Sequence, residues 1–160
     1  MELLLVRHGQ AEDFPQWGGD AGRALTEKGH EQAKKVGLFL KKNDLRPDLV
    51  LCSPLVRARE TAENLCVAAE IDPPIVESWL ACGMSPELAM TELAAYEKSC
   101  ARVLVVGHEP DFSTLAAAIL EASCGSVEMK KASLIHLRCR PPSIGGILCA
   151  LVPVKMLDSL

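Results

Sequence analysis

Short apolar runs alternate with longer helix-like segments, and this alternation constrains the fold more than any other feature of the sequence. Continuous apolar runs bounded by turn residues are typical of buried strands, and the segments between them carry helix-starting signals such as Ser85-Pro86. The predicted strands are 3–6, 48–52, 75–77, 102–106 and a terminal hairpin of 133–139 with 146–152, and the predicted helices are about 26–42, 56–69, 85–98 and 111–121. Strands that alternate with helices predict an α/β fold, a three-layer αβα sandwich with a mainly parallel central sheet, in a single domain over residues 1–160.

Three of the predicted strands end in residues suited to phosphate chemistry. The first is followed by Arg7 and His8, the second by Ser53 with Arg57 one helical turn later, and the third by His108. Ligands bind outside the carboxyl ends of the strands in open α/β sheets, because loops and helix N-termini converge there. We therefore predict that these side chains share one site.

Transfer of a phosphoryl group to a protein needs an attacking atom in line with the leaving group and cations around the oxygens. We predict that neutral His8 attacks through one ring nitrogen while the other donates to a backbone carbonyl. Arg7 and Arg57 present planar forks that suit phosphate oxygens. His108, in its charged form, is predicted to donate to the transferring group.

These blocks resemble the histidine phosphatase superfamily, which includes the cofactor-dependent phosphoglycerate mutases, and within it the short bacterial phosphohistidine phosphatases. The matching blocks are Arg7-His8-Gly9, Arg23-Ala24-Leu25-Thr26-Glu27-Lys28-Gly29, Ser53-Pro54-x-x-Arg57-Ala58-x-x-Thr61 and Gly107-His108-x-Pro110. The resemblance implies a phosphoglycerate mutase-like fold, with His8 as nucleophile and Arg7, Arg57 and His108 as phosphate ligands. Arg23 is open between a substrate contact and a surface residue.

The leaving group separates the possible substrates. Ester-cleaving members of the superfamily usually carry a glutamate acid after the third strand; here Glu77 is a candidate, with Glu109 and Asp111 as others, and much of the usual pattern around Glu77 is missing. An alkoxide leaves badly unless it is protonated, whereas phosphohistidine can leave as imidazole. The short chain also leaves few residues to enclose a small substrate. These features favour removal of phosphate from phosphohistidine on proteins; the alternatives are a small-molecule phosphomonoesterase, a mutase, or a phosphoprotein-binding module without turnover.

Composition and net charge limit the classes of binding partner that we expect. The net charge of −4 and the lack of a basic block argue against nucleic acid and anionic membranes. No apolar run is long enough to cross a bilayer and no basic leader is recognised, so a cytoplasmic enzyme is expected.

The spacing of histidines and cysteines does not suit a metal site, and we expect no cofactor. The seven cysteines are expected to be small buried residues that stay reduced. Oligomeric state is left open. We expect Arg59, His30 and His136 to be solvated or structural.

Overall fold

The computed structural model describes residues 1–15 and 17–159. The strands are β1 (Glu2–Arg7), β2 (Leu49–Cys52), β3 (Ile75–Val76), β4 (Arg102–Gly107), β5 (Leu134–Arg140) and β6 (Ser143–Val152), and the helices are α1 (Glu27–Lys42), α2 (Val56–Ala69), α3 (Pro86–Ala94) and α4 (Asp111–Ile119). One sheet has the order β3-β2-β4-β1-β5-β6. The first four strands in that order are parallel, and β5 and β6 form an antiparallel hairpin beside β1. The predicted mainly parallel α/β sheet is confirmed.

Alternating side chains of the strands build two cores, one on each face of the sheet. In β1, Leu3 and Leu5 pack with α3 and α4, while Leu4 and Val6 pack with α1 and α2. All four are fully buried. This arrangement explains why the strands are continuously apolar, since a sheet covered by helices on both faces needs apolar residues at every position.

Three predicted boundaries were wrong. Helix α3 ends at Ala94 rather than near residue 98. Beyond Ala94 the backbone N–H groups bond to the carbonyl three residues earlier instead of four, as from Tyr96 N to Leu93 O. Helix α4 ends at Ile119 rather than at 121, where Glu121 takes a φ of +52°. Strand β6 begins at Ser143 rather than at 146, so the hairpin turns at residues 141–142.

The cysteines are all free, but their expected burial holds only in part. Cys52, Cys66 and Cys139 are buried, and burial raises the pKa of each thiol. Three others are exposed, against the prediction; they are Cys82, Cys124 and Cys149. Cys82 and Cys124 lie in loops and Cys149 lies on the edge strand β6, so an apolar sequence neighbourhood did not place them in a core.

The sheet register brings the ends of three strands together. Arg7 of β1 lies opposite Gly107 of β4, and Cys52 of β2 lies opposite Val106. The residues that follow the strands are therefore neighbours at one edge of the sheet. As for membrane crossing, no helix within residues 1–15 and 17–159 combines the length and apolar character that it requires.

Candidate active site

His8, Ser53 and His108 follow β1, β2 and β4 and are held at the sheet edge by backbone hydrogen bonds. The N–H of His8 donates to the carbonyl of Gly107 over 3.0 Å, and the N–H of Ser53 donates to the carbonyl of Val106 over the same distance. The rings of His8 and His108 have centroids 5.3 Å apart and planes inclined at 53°. The sequence-predicted pair of histidines is thus brought together.

A backbone carbonyl fixes the ring of His8. Its Nδ1 lies 2.7 Å from the carbonyl oxygen of Gly9, and because a carbonyl can only accept, Nδ1 carries the hydrogen and Nε2 keeps its lone pair. The N–H of Gly9 donates to Thr61 Oγ1, which donates in turn to the carbonyl of Arg57. A side chain at Gly9 would meet the Gly29 carbonyl oxygen at 2.8 Å, so the close approach of the two backbones at this point requires glycine.

The electrostatic setting keeps His8 neutral. Burial lowers its pKa to about 4; the hydrogen bond to the Gly9 carbonyl opposes this, and the charges of Arg57 and Arg7 add to the lowering. At neutral pH the imidazole is uncharged, with a free lone pair on Nε2. That is the form in which a histidine acts as a nucleophile.

Ser53 holds the ring of His108 by a hydrogen bond. Its Oγ lies 2.7 Å from Nε2 of His108 and also accepts a hydrogen bond from the N–H of Leu55. A hydroxyl can donate or accept, so this contact suits a neutral ring with its hydrogen on Nδ1 as well as one with its hydrogen on Nε2. Burial, followed by the fields of His8 and Arg57, lowers the pKa of His108 to about 3. In the free protein His108 is therefore buried and neutral, and its charged form during phosphoryl transfer stays a prediction.

Asp20 joins two of the predicted arginines. Its backbone carbonyl and Oδ2 accept from Nη1 and Nη2 of Arg57 over 2.8 and 3.1 Å, and its Oδ1 accepts from Arg23 Nη1 over 2.9 Å. Hydrogen bonding to Arg23, together with the charge of Arg57, holds the pKa of the Asp20 carboxyl below its usual range. Arg23 and Arg57 are thus bridged by Asp20, a site residue that the sequence did not reveal.

Two buried nitrogens of the site are unpaired within the described part of the chain. Arg7 donates from Nη1 to the carbonyl of Met129 over 2.8 Å, while its Nε has no hydrogen-bond partner there. Nδ1 of His108 likewise has no hydrogen-bond partner in the described part of the chain. Buried polar atoms are nearly always paired, so Arg7 Nε, and His108 Nδ1 in the tautomer that carries its hydrogen there, suit an anion that accepts hydrogen bonds.

The candidate acids make structural contacts. Glu77 accepts from the Tyr96 hydroxyl, and Glu109 accepts from the N–H of Ser113 in the first turn of α4. Asp111 is buried, and its Oδ2 accepts from the N–H groups of Gly83 and Met84. These bonds place all three carboxylates in capping or loop-anchoring contacts.

The remaining histidines and Arg59 have the structural surroundings that we expected. Arg59 is half exposed and faces Glu63 at 3.9 Å on the same helix. His30 Nδ1 lies 3.1 Å from Asn64 Nδ2, and His136 lies 3.7 Å from Glu2 across the sheet. None of these contacts involves His8 or Arg57.

The sequence profile of the histidine phosphatase superfamily (branch 1) matches residues 3–81, the stretch that carries His8, Arg23 and Arg57. The chain belongs to the histidine phosphatase superfamily. An uncharacterized protein of Picosynechococcus sp. is 40% identical over 141 residues, which cover 86% of this chain and 85% of that protein. The coarser functional prediction, a phosphatase of this superfamily, is confirmed.

Solved structures show how widely the fold is shared. A structure of the protein histidine phosphatase SixA complexed with tungstate aligns with a TM-score of 0.88 at 22% identity, over 98% of this chain and 99% of that one. Mycobacterial glucosyl-3-phosphoglycerate phosphatase aligns with a TM-score of 0.70 at 22% identity, over 93% and 97%. The fold therefore occurs in proteins named for N–P and for O–P substrates, and the substrate must be argued from the site.

Proposed function

We propose that the protein removes phosphate from phosphohistidine on other proteins through a covalent phospho-His8 intermediate. The observation that carries the proposal is the state of His8: a neutral ring, fixed by the Gly9 carbonyl, with Nε2 free beside Arg57 and His108. A nucleophile in that form needs no further base to act on phosphorus.

In the first step Nε2 of His8 attacks the phosphorus atom, and the bond from phosphorus to the substrate's ring nitrogen breaks, with its electron pair going to the departing imidazole. Arg7, Arg57 and His108 Nδ1–H stabilise the charge on the three equatorial oxygens, and Arg23 lies next to Arg57 to assist. Water then attacks phospho-His8, which releases inorganic phosphate and restores the neutral ring.

The protonation and hydrogen bonding of the carboxylates in and near the site support a substrate with an N–P bond. Asp20 is the carboxylate that contacts Arg57, and its lowered pKa keeps it ionised, so it has no proton to give to a departing alkoxide. Glu77 and Glu109 stay predictions as general acids, and each accepts a hydrogen bond from a neighbouring residue. Phosphohistidine can carry the required proton on its own second ring nitrogen and leave as neutral imidazole.

The shared fold gives the proposal secondary support. The SixA structure with tungstate is of a protein histidine phosphatase, and it covers nearly the whole of this chain. The predicted protein partner, a phosphohistidine-bearing domain, follows from this proposal.

A matched substrate panel tests the proposal. We would compare kcat/KM for a phosphohistidine-bearing phosphotransfer domain, a phosphoserine protein, 3-phosphoglycerate and p-nitrophenyl phosphate, in buffer without added metal. The proposal expects the phosphohistidine domain to be turned over fastest. Faster turnover of 3-phosphoglycerate would favour the small-molecule alternative, and tight retention of phosphoprotein without phosphate release would favour a binding module.

A further inference from the structure

The loop between β1 and α1 is closed at its base. Ala11 and Leu25 form an antiparallel bridge, the N–H of Glu12 donates to the carbonyl of Ala24, and Arg23 Nε donates to the carbonyl of Glu12 over 2.7 Å. We call residues 12–15 and 17–24 the aromatic loop. Its base is fixed by these bonds, so its outer part is presented from a defined position.

Two large aromatic side chains project from this loop into solvent. Phe14 is 84% exposed and Trp17 is 73% exposed. The chain has six aromatic residues, and the other four pack on the two cores; they are Phe39, Trp79, Tyr96 and Phe112. Two neighbouring exposed aromatics in a chain that otherwise packs its aromatics are typical of a binding surface.

The same loop reaches the active site through Asp20. Asp20, which accepts two hydrogen bonds from Arg57, is three residues after Trp17, so their Cα atoms lie within about 11 Å of each other. A side chain on Gly22 would meet the carbonyl oxygen of Trp17 at 2.0 Å, so the backbone of Trp17 packs directly against the residue before Arg23. Trp17 is therefore close enough to Asp20 and Arg57 for a large molecule bound at His8 to reach it.

The charge of a second segment near the site, Lys130 and Lys131, indicates the chemistry of the molecule whose phosphoryl group reaches His8. Lys130 and Lys131 are exposed next to Met129, whose carbonyl holds Arg7, and the charge of Lys131 acts on His8. A partner that fits carries apolar side chains opposite Phe14 and Trp17 and acidic ones opposite Lys130 and Lys131, rather than opposite the exposed Asp13 and Glu128. A small leaving group held at His8 is too small to cover two mostly exposed aromatic side chains, whereas the surface of a folded protein is large enough.

We propose that Phe14 and Trp17 are a docking surface for the protein that carries the phosphoryl group, and that they contribute to selection of protein over small-molecule substrates. This inference rests on the proposed function for its N–P substrate. The two aromatics contact the apolar surface around the phosphorylated residue, and Lys130 and Lys131 face its acidic residues. They bind the substrate protein without touching the phosphoryl group.

The test compares the double variant Phe14→Ser/Trp17→Ser with a control, Leu38→Ser/Val67→Ser. Leu38 and Val67 are 56% and 79% exposed on α1 and α2 and make no contact with the site that the structure records, so the control removes similar apolar surface elsewhere. Each is assayed on two matched pairs: a phosphohistidine domain with phosphoramidate, and a phosphoserine protein with p-nitrophenyl phosphate. Thermal unfolding checks that both variants fold.

We expect the aromatic variant to lose at least tenfold in kcat/KM on the phosphohistidine domain, mainly through KM, and to keep phosphoramidate turnover within twofold. The control should match the wild type on both. Equal losses on protein and small substrate, or no loss on either, would overturn the docking surface. Sedimentation serves as a further check: a wild-type dimer that the aromatic variant converts to monomer would overturn it in favour of self-association.

The design separates this inference from the proposed function. Wild-type preference for the phosphoserine protein over the phosphohistidine domain would reject the N–P assignment, and the phosphoserine pair would then decide whether Phe14 and Trp17 dock a protein. Faster wild-type turnover of the small partner in both pairs would reject protein docking itself.

Discussion

Arg57 and Arg59 provide a matched pair of substitutions on one helix. The Arg57 side chain is 6% exposed and donates to Asp20 and, more weakly, to Cys82 Sγ at 3.9 Å. These three contacts use three of the five N–H groups of the guanidinium, which leaves two for phosphoryl oxygens. Arg59 is half exposed, and its one ion pair is at 3.9 Å.

If Arg57 stabilises charge on the transferring phosphoryl group, Arg57→Ala should lower kcat by roughly 10² to 10³, or about 2.7–4 kcal/mol of transition-state stabilisation. Arg57→Lys should recover only part of this, because a point charge cannot reproduce a two-pronged contact. Arg59→Ala removes an exposed pair worth at most about 1 kcal/mol, so its activity should be unchanged and its Tm should move by no more than about 4 °C.

The assay is steady-state hydrolysis of p-nitrophenyl phosphate and of a phosphohistidine domain, with Tm measured for all three variants. Arg57→Ala must remain folded for the comparison to count, and Asp20 can be solvated when its partner is removed because its side chain is 62% exposed. Equally mild effects of Arg57→Ala and Arg59→Ala would show that the phosphate pocket has been assigned to the wrong residues.

Three further predictions concern the histidines and the chemistry. His8→Ala should fold but abolish both turnover and the acid-labile phosphate found on the enzyme after a rapid quench; wild-type turnover would end the nucleophile assignment. With pKa values lowered to about 4 and about 3, His8 and His108 should stay neutral in the free protein until the pH falls well below the ordinary value of 6.5, so their NMR titration midpoints should lie below 5, and a midpoint near 6.5 would contradict the burial argument. Hydrolysis should persist in EDTA and be inhibited by vanadate, which mimics a five-coordinate phosphoryl group; loss in EDTA with recovery on adding a divalent ion would contradict metal-independent transfer.

The sequence predicted which residues form the site better than it predicted their protonation. Parallel strands end at a common edge, so apolar runs that end in Arg7-His8 and Gly107-His108 were enough to bring the two histidines together. Asp20 was missed because it lies in an irregular loop, and no periodicity shows that such a loop folds back onto Arg57. The neutral state of His108 in the free protein could not be predicted from the sequence because it depends on burial and on the fields of His8 and Arg57, which act only once the chain has folded.

The helix and strand limits failed where tertiary contacts decided them. Gly145 was expected to lie outside the last strand, which was predicted to begin at Gly146, as paired glycines usually mark turns. In the structure they lie within β6, and a side chain at Gly146 would meet Ile119 Cγ2 at 2.6 Å and the Arg138 carbonyl at 2.7 Å. Glycine is needed there because β6 approaches α4 and β5 closely, which sequence alone does not reveal.

The charges of the free site bear on how a phosphoryl group is received. Both histidines are neutral, Arg57 and Arg23 share the carboxylate of Asp20, and Arg7 is held by the Met129 carbonyl. The arriving dianion can use the two N–H groups of Arg57 that Asp20 and Cys82 leave free, and its negative charge raises the pKa of His108 once it is bound. Asp20 stays ionised in the free site and holds no proton for a departing group. A substrate that brings its own proton on a ring nitrogen needs no acid there, whereas an ester does, and this difference favours phosphohistidine under the proposed mechanism.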